Sequence, residues 1–332
     1  MDIDLVYTWV NAADVAFHEH RATFARQEVR KDFSYRAGAA RFEDNGELRF
    51  SLRSVERNLP FIRRVYVVHA GAAPSWLDPS RDDLVFVPQD DIVPPAYSPT
   101  FQSDVVEAFI HRIPGLSEHY VYSNDDFFFA RPHGPGDFFD ATGRALVGMD
   151  WRLAGTQRRI VRTYRAMEMN AARAIGRHLD LAGVHAVTRP TLKAWLWLLL
   201  HRAALLNTLT HVAQPFRKSI WGGFHKTFAT EVGELGRQRF RSGKGLTVNL
   251  MAHHYAIAND LAVFSRIPYQ SLHRGASIED ANRFREDVVH NRQPWTRFCL
   301  NDQPAVDPFD WRDFVSRFLN EYLPDRSRWE TD

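Results

Sequence analysis

Two adjacent aspartates follow a short apolar run in the first half of the chain. The run His119 to Ser123 is typical of a buried strand, and Asn124-Asp125-Asp126 comes directly after it. Two neighbouring carboxylates repel each other unless a cation or a proton relieves the charge, so a divalent metal would explain the pair. Adjacent residues on extended backbone point in opposite directions, so only one of the two acids needs to reach the metal. An Asx turn that caps a helix is the structural alternative.

A second pair of an amide and an acid lies near the carboxyl end of the chain. Asn301 and Asp302 follow the apolar run Phe298 to Leu300 and precede Gln303-Pro304, a context that by itself predicts a turn. If the fold places this pair beside the first, the two together supply enough oxygen ligands for Mg²⁺ or Mn²⁺. These cations usually keep some water and bind substrate phosphates.

Cationic side chains are concentrated in the segment Arg239 to Lys244. Guanidinium groups fit phosphate oxygens in pairs, but the segment is not a P-loop, because the upstream glycine spacing and the following Ser or Thr are missing. Taken alone it is more typical of a solvated surface. A lone histidine is more often structural than functional. Four of the 15 histidines are candidate ligands or proton carriers, with a structural role as the alternative for each: His211, His225, His253 and His254.

Strands and helices alternate in the part of the chain that leads to Asp126. The predicted strands are Ile3 to Val10, Val65 to Val68, Leu84 to Val87 and His119 to Ser123. The predicted helices run from the first strand to about Lys31, over Glu47 to Asn58 and over Asp104 to Ile113. This alternation predicts an α/β fold, a mainly parallel Rossmann-like (GT-A-like) sheet flanked by helices. Ligands of such sheets bind beyond the carboxyl ends of the strands, where the acids lie.

The second half of the chain has a different composition and predicts a helical insertion. After Gly148 the sequence is rich in Arg and Ala, and Leu192 to Leu209 is its most apolar predicted helix. We expect this helix to be a core or interdomain helix, with a lipid- or polyprenol-facing helix as the alternative, since basic residues flank it. The flanking residues are Lys193, His201 and Arg202.

We expect residues 1–332 to form a single catalytic domain, because the sequence contains no internal repeat and no low-complexity linker. Its predicted parts are an α/β half over residues 1–147, a divergent helical insertion over 148–209, and a C-terminal half over 210–332 that completes the site. No feature of the sequence indicates an oligomeric state.

The composition argues against several classes of protein. The 42 Lys and Arg residues against 40 Asp and Glu residues leave a net charge of +2, so nucleic acid is not an expected partner. The apolar share of 45% and the charged share of 25% are those of an ordinary globular chain and exclude a disordered or collagen-like one.

The sequence favours a cytoplasmic protein. Cys299 is the single cysteine, so no intrachain disulfide and no cysteine-cluster metal site can form. The first residues lack the basic flank and cleavage site of a signal peptide. The apolar stretch Ala194 to Leu200 is well short of the roughly 20 residues that span a bilayer. We therefore expect no membrane span, although peripheral contact with the inner membrane face stays compatible with the sequence.

Four segments, taken together and in order, resemble the conserved regions of the Stealth family of sugar-1-phosphate transferases. That family includes bacterial capsular polysaccharide phosphotransferases and the animal N-acetylglucosamine-1-phosphotransferase that tags lysosomal enzymes. The segments are IDLVYTWVNAAD at Ile3 to Asp14, the long block from Arg41 to Phe129 that contains YSNDDFFF, the stretch from Thr210 to Ser242 that contains HVAQP and RFRS, and FCLNDQP at Phe298 to Pro304.

The resemblance implies an enzyme that moves hexose-1-phosphate from a UDP-sugar to a hydroxyl of an acceptor glycan or polysaccharide. The group is expected to be N-acetylglucosamine-1-phosphate, the donor group of the animal enzyme, although bacterial relatives use several hexose derivatives. The phosphoanhydride breaks, UMP leaves, and the configuration of the anomeric carbon survives. Residues 1–147 would then form the half that binds the nucleotide sugar.

By resemblance, the catalytic residues are an acid, a histidine and an arginine. The acid of the family falls on Asp126, its histidine on His211 and its arginine on Arg241. The family often has proline where this chain has Ala213. Either Asp126 or His211 could accept a proton from the attacking hydroxyl. We favour Asp126 as the base and His211 as a group that orients the phosphate or carries a proton.

The resemblance also implies a metal ion and a donor-binding surface. Mg²⁺ or Mn²⁺ would be held by Asp302 with a neighbouring acid, and the implied metal residues are Asp125, Asn301 and Asp302. The first strand would frame the nucleotide, while further residues would line the donor or order the loops at the strand ends. The residues expected in these roles are Tyr7, Thr8, Trp9, Asn11, Arg49, Ser51, Arg53, Thr100, Ser103 and Asn124.

Two other functions stay compatible with the same residues. An acidic group at a sheet edge also resembles the Asp-x-Asp device of metal-dependent glycosyltransferases, which would release UDP and form a glycoside. A non-catalytic glycan-binding protein could keep the fold without turnover. The products formed from a UDP-sugar distinguish the three.

Overall fold

The central element is a five-stranded sheet in the order β3-β2-β1-β4-β8. A computed structural model describes residues 1–27, 45–156, 162–180, 192–200, 202–302 and 308–331. The first four strands of the sheet are parallel to one another, and β8 is antiparallel to β4. The five strands are β1 (Ile3–Val10), β2 (Ile62–Ala70), β3 (Leu84–Pro88), β4 (His119–Asn124) and β8 (Gln214–Arg217). The mainly parallel α/β sheet predicted from the sequence is confirmed.

The pairing of β1 with β4 places two predicted site residues side by side. Both strands are buried over most of their length, because helices and further strands cover the sheet. The register puts Thr8 of β1 opposite Asn124 of β4, so both strands end at the same edge. Asp125 and Asp126 therefore follow at the carboxyl edge of the sheet, where ligands of parallel sheets bind.

Two small sheets complete the framework. One has the order β10-β11-β5 and the other the order β7-β6-β9. Their strands are β5 (Phe127–Phe129), β6 (Ala145–Leu153), β7 (Asn207–Leu209), β9 (Ala262–Ser265), β10 (Tyr269–His273) and β11 (Arg297–Asn301). Because β5 follows β4 after a two-residue turn, its antiparallel pairing with β11 carries the C-terminal half to the edge of the main sheet.

Helices flank the sheets. Those of the first half are α1 (Val15–Gln27), α2 (Glu47–Asn58), α3 (Gln89–Ile92) and α4 (Ser103–Glu107). Those that follow are α5 (Arg162–His178), α6 (Leu192–Leu200), α7 (Ile220–Thr227), α8 (Ala229–Gly236), α9 (Val248–Ala258), α10 (Ile278–Val289) and α11 (Trp311–Tyr322). Short 3-10 turns occur at Pro95–Tyr97, Ile110–Arg112 and Pro135–Asp137.

Two predicted helices differ from the structure. The helix predicted over Asp104 to Ile113 is interrupted, because the backbone leaves the helical region at Phe109, whose ring packs between Tyr97 and His225. The helix predicted over Leu192 to Leu209 is wrong beyond α6, since Arg202 adopts a left-handed conformation with φ of 49° and β7 follows.

Several predicted features fall outside the described residues. These are residues 28–31 of the first predicted helix, residues 41–44 of the second matched segment, His201, the side chain of Lys193, and Gln303-Pro304. The predicted boundary between residues 147 and 148 lies inside β6, so the insertion begins within a strand.

The helix α6 exposes an apolar face instead of burying it in a core. Its five described large apolar side chains follow the spacing i, i+3, i+4, i+7, i+8 and are between 43% and 79% exposed. They are Leu192, Trp195, Leu196, Leu199 and Leu200. The expectation of a core helix is therefore wrong for this face. Among the described residues, no helix combines the length and the apolar character needed to cross a bilayer.

Candidate active site

A cleft of about 1300 Å³ opens at the carboxyl edge of the main sheet. Ligand pockets usually measure roughly 300–1,000 Å³, so this cleft has room for more than one small substrate. The predicted site residues that line it are Thr8, Trp9, Thr100, Ser103, Asn124, Asp125, Asp126, His211, Arg241, Asn301 and Asp302. The structure thus brings together residues from three regions that are far apart in the sequence.

Asp126 occupies the turn between β4 and β5 and is anchored by β11. Its backbone oxygen accepts a hydrogen bond from the Leu300 amide at 3.1 Å, and its Oδ2 accepts one from Cys299 Sγ at 3.4 Å. Its Oδ1 is buried without a hydrogen bond from any described residue. Burial raises the pKa of Asp126 to about 7, and the carboxylate of Asp302 adds to the rise. A carboxyl group with this pKa is half ionised near neutrality and can take up a proton.

His211 lies on the other side of Cys299. Its Nδ1 is 3.4 Å from Cys299 Sγ and 3.3 Å from the side-chain amide nitrogen of Asn301. An amide nitrogen can only donate, so Nδ1 accepts and the ring proton sits on Nε2. Burial lowers the pKa of His211 to about 4, and the positive charges of nearby groups act in the same direction. His211 is therefore neutral at physiological pH.

Asp302 lies just beyond β11 and is held by two donors. Arg274 Nη1 donates to its Oδ1 at 3.0 Å, and the Asn45 amide donates to its Oδ2 at 3.4 Å. Asp126 and Asp302 line the same cleft, and the negative charge of Asp302 contributes to the raised pKa of Asp126.

Arg241 is anchored at the amino end of α4. Its Nη2 donates to Ser103 Oγ at 2.8 Å and to Asp104 Oδ2 at 3.0 Å. Asp104 is 4% exposed and the Arg241 side chain 18%, so the pair is screened from solvent and fixes the guanidinium at the wall of the cleft. The predicted residue Ser103 therefore acts by orienting Arg241.

The hydroxyl of Tyr122 connects the first strand with α4, the helix that also carries Asp104. It lies 2.8 Å from Thr8 Oγ1 and 2.9 Å from Asn124 Oδ1, and it donates to Glu107 Oε1 at 3.1 Å. Burial raises the pKa of Glu107 to about 8, and the neighbouring carboxylate of Asp104 adds to the rise. Nothing in the sequence distinguishes Glu107 from an ordinary glutamate of a helix, so it was not predicted as a site residue.

Five predicted donor residues lie outside the lining of the cleft. The hydroxyl of buried Tyr7 is 2.7 Å from Ser51 Oγ, which donates to the Phe127 backbone, so Ser51 orders the turn that carries Asp126. The Asn11 side-chain amide donates to the Ala72 backbone oxygen at 2.8 Å, and its Oδ1 accepts from the Ala13 amide at 2.9 Å. Arg49 and Arg53 both pair with Glu330, and Arg53 does so through two bonds of 2.8 Å.

The other histidine candidates and the basic loop have structural roles. Of the histidines, His225, His253 and His254 bond to backbone oxygens, and none of them lines the cleft. In the loop, Arg239 lies over the ring of Phe24 at 4.8 Å. Only Arg241 of this segment lines the cleft.

The structure adds cleft residues that sequence reasoning missed. They include residues of the region 148–209, to which no role was assigned, and of β10, together with residues of the first half of the chain and of α10. The single available signal was the charged pair Asp150 and Arg152 at the end of an otherwise apolar strand. The added polar residues include Arg152, Tyr164, Glu168, Thr208, Tyr269, His273 and Arg274.

The chemistry of the cleft fits a hard divalent cation. Asp125, Asp126, Asn301 and Asp302 all line the cleft, and the buried Asp126 Oδ1 has no hydrogen bond from a described residue. Within the described parts of the chain, no three His, Cys, Asp or Glu side chains form a cluster that could hold a metal ion. Mg²⁺ does not need such a cluster, because one or two carboxylates and substrate phosphates commonly hold it.

Comparison with known proteins identifies the family. Models of Stealth protein conserved regions 1, 2 and 3 match residues 1–28, 41–147 and 210–258. The capsular polysaccharide phosphotransferase LcbA of Aeromonas hydrophila is 31% identical over 97% of this chain and 84% of its own length. The chain belongs to the Stealth family.

Other relatives are longer than this chain. An exopolysaccharide phosphotransferase of Nocardia farcinica is 32% identical over 99% of the chain, which spans 61% of that relative. An exopolysaccharide phosphotransferase of Streptomyces coelicolor is 31% identical over 99% of the chain, which spans 52% of that relative. The chain thus spans between about half and three fifths of the length of these relatives.

Solved structures with a similar shape are remote in sequence. A crystal structure of the galactosyltransferase LgtC matches 98% of both chains at 10% identity, with a TM-score of 0.45. Mouse xyloside xylosyltransferase 1 matches 92% of this chain and all of its own at 10% identity, with a TM-score of 0.39.

We expect Glu107→Gln to stabilise the protein more at high pH than at low pH. A carboxyl whose pKa is raised in the folded state contributes stability below its unfolded pKa, near 4.5, and this contribution is lost as the pH rises through about 8. The glutamine side chain does not ionise, so the variant does not lose this stability as the pH rises. Urea unfolding at pH 6 and pH 9 measures the difference, with exposed Glu234→Gln as the control. An equal effect of Glu107→Gln at both pH values would contradict the raised pKa.

Proposed function

We propose that the chain transfers hexose-1-phosphate, in the first instance N-acetylglucosamine-1-phosphate, from a UDP-sugar to a hydroxyl of an acceptor glycan. The products are UMP and a glycan phosphodiester. One observation carries the proposal: Asp126, His211, Arg241 and Asp302, which are distant in the sequence, line a single cleft. The relatives are exopolysaccharide and capsular polysaccharide phosphotransferases, which supports a glycan acceptor.

In the proposed reaction, Asp126 removes the proton of the attacking hydroxyl. The hydroxyl oxygen forms a bond to the phosphorus that carries the sugar, and the phosphoanhydride bond to the UMP oxygen breaks. The electron pair of that bond leaves with UMP. A base with a pKa near 7 suits this proton transfer, and Cys299 and the Leu300 amide hold Asp126 in place.

His211 and Arg241 act on the phosphate oxygens. Phosphoryl transfer depends mainly on positioning and on stabilising charge at the transferred and leaving phosphates. His211 is neutral and carries its proton on Nε2, so it can donate a hydrogen bond to an oxygen without adding a cation beside Asp126. Arg241 supplies the cation, and its bonds to Ser103 and Asp104 limit its motion.

We propose that Mg²⁺ or Mn²⁺ binds among Asp302, Asp125 and Asn301, together with the diphosphate of the donor. The cation would offset the negative charge of the diphosphate and of the clustered acids. Arg274 already holds Asp302 at 3.0 Å, so this carboxylate is fixed in position before a cation arrives. Thr8, Trp9 and Thr100 would contact the donor from the edge of the main sheet.

The released nucleotide tests the reaction. The chain is incubated with UDP-N-acetylglucosamine, Mg²⁺ and a capsular oligosaccharide, and the products are separated by ion-exchange chromatography. We expect UMP and a phosphodiester, both of which disappear when EDTA replaces Mg²⁺. Release of UDP with a glycoside would instead identify a metal-dependent glycosyltransferase. Glycan binding without any nucleotide product, across a panel of UDP-sugars, would indicate a non-catalytic glycan-binding protein.

We expect Asp126→Asn to lower the rate of UMP release by about 10²–10⁴-fold, the usual contribution of a general base. The amide has the same shape as the carboxyl, and its oxygen can still accept from Cys299, so the fold is retained. Circular dichroism and thermal melting verify the fold. The matched control is Asp260→Asn, at an exposed position outside the cleft with φ of 56°, which asparagine tolerates. Unchanged activity of Asp126→Asn would remove Asp126 from the mechanism.

We further propose that α6 contacts a lipid surface. Its exposed apolar face has the spacing of a helix that lies in the membrane interface, and it includes Trp195, whose ring suits that depth. Arg202 is exposed just beyond the helix and can approach anionic headgroups. Such contact would bring the cleft near glycans that grow on a membrane-bound carrier.

We expect the double variant Leu196→Ser, Leu199→Ser to weaken co-sedimentation with phosphatidylglycerol vesicles. Each serine removes apolar area that would be buried among the lipid chains. Ile278→Ser is the control, because Ile278 is an exposed apolar residue on a different helix. Vesicle binding that is the same in both variants would contradict the proposal. Light scattering would also contradict the proposal if it detected a dimer that is lost in the double variant and kept in the control.

A further inference from the structure

The end of β6 is irregular where it passes the cleft. In its antiparallel pairing with β7, Met149 lies opposite Leu209 and Leu153 opposite Asn207. Three residues of β6 therefore lie opposite the single residue Thr208. Bulges of this kind redirect side chains and occur often beside active sites. The Asn207 side-chain amide donates to the Asp150 backbone oxygen at 2.8 Å and fixes the irregular segment.

Within this segment, Arg152 is held by Asp150 and Tyr269. The Arg152 Nη2 donates to Asp150 Oδ2 at 2.6 Å and to the Tyr269 hydroxyl at 3.3 Å. That hydroxyl itself donates to Asp150 Oδ2 at 2.7 Å, and the Arg152 backbone amide donates to Asp150 Oδ1 at 3.0 Å. The Asp150 side chain is 13% exposed, whereas that of Arg152 is 53% exposed. The carboxylate is thus used to orient the guanidinium, which stays open to the cleft.

The donors of Arg152 are only partly used. Among the described residues, each hydrogen bond of its guanidinium runs through Nη2. A guanidinium has five N–H groups in a planar fork that matches two phosphate oxygens. Nε and Nη1 are therefore available to an anion in the cleft.

The surroundings of Arg152 belong to the proposed reaction centre. Arg152 and His211 line the same cleft, and the charge of Arg152 helps to lower the pKa of His211 and of His273. Glu168 also lies near, but burial raises its pKa, and Thr208 and the Gly155 amide donate to it, which reduces its effect on an incoming anion.

We propose that Arg152 is a second anion-binding residue of the cleft, in addition to Arg241, and binds the diphosphate of the nucleotide donor. The inference rests on the proposed function for the identity of the anion. Tyr269 and Asp150 are positioning residues, because they act on the donor only through the guanidinium. The region 148–209 thereby contributes directly to the site.

Binding measurements test this role without any turnover. Isothermal titration calorimetry in the presence of Mg²⁺ measures the Kd of UDP, of inorganic pyrophosphate and of uridine. For Arg152→Gln we expect the Kd of UDP and of pyrophosphate to rise about tenfold or more, as for a lost charge-assisted hydrogen bond, while uridine binding is unchanged. Arg266→Gln is the matched control, since Arg266 is exposed outside the cleft, and it should alter none of the three values.

Two further variants separate phosphate binding from folding. Arg152→Lys keeps a cation on the bulge and should recover part of the affinity for UDP. Tyr269→Phe keeps Arg152 and Asp150 but loses one bond to each, so we expect a smaller rise in the Kd of UDP and none in that of uridine.

The proposal is overturned if Arg152→Gln leaves the Kd of UDP and of pyrophosphate within twofold of the values of the unaltered chain. It is also overturned if the variant weakens the binding of uridine to the same extent as that of UDP. Failure of the unaltered chain to bind either UDP or pyrophosphate overturns it as well. UDP binding that depends on Arg152, in a chain that forms no phosphodiester, would support the anion site and reject the proposed transfer reaction.

Discussion

The antiparallel pairing of β5 with β11 is the constraint on which the site depends. The Leu300 amide bonds to the Asp126 backbone oxygen at 3.1 Å, and Cys299 lies opposite Phe127. This register places Cys299 against the Asp126 carboxyl and Asn301, two residues on, against the ring of His211. Side chains alternate along a strand, so a slip by one residue would turn Cys299 away from Asp126 and Asn301 away from His211. A pairing of only three residues thus joins positions that are 168 to 172 residues apart in the sequence.

The cleft is lined by both acidic and cationic side chains. Acids gather at the end of the main sheet, where burial and mutual repulsion favour the protonated form of Asp126. Two arginines line the same cleft, each tied to its own carboxylate, Arg241 to Asp104 and Arg152 to Asp150. In the proposed reaction, the cation would relieve the repulsion between the acids, and the arginines would bind the diphosphate. His211 lines this cleft in its neutral form.

The first half of the fold could be predicted because its signals are local. β1 and β4 are apolar, buried on both faces and followed at once by polar residues, so their type and carboxyl ends are legible in the sequence. Apart from β6, which has nine residues, the strands β5 to β11 have three to five residues each and pair with distant partners. Because β6 carries charged residues, no local sequence pattern predicts it either. The acidic pairs that contain Asp126 and Asp302 could be picked out from their residue types after apolar runs, and the family likeness supplied the roles of Asp126, His211 and Arg241. Arg152 and Glu107 could not be predicted in either way, because a bulge and a buried network orient them.

The thiol of Cys299 has a chemical consequence of its own. It is fully buried between Asp126 and His211, and burial together with the Asp126 charge raises its pKa well above that of a free cysteine. The thiolate is the form of cysteine that attacks alkylating reagents, so this sulfur should be inert while the surrounding side chains keep it buried. Modification of Cys299 therefore identifies molecules in which β11 has separated from β5. The rate of thiol labelling would measure how often this strand pair opens.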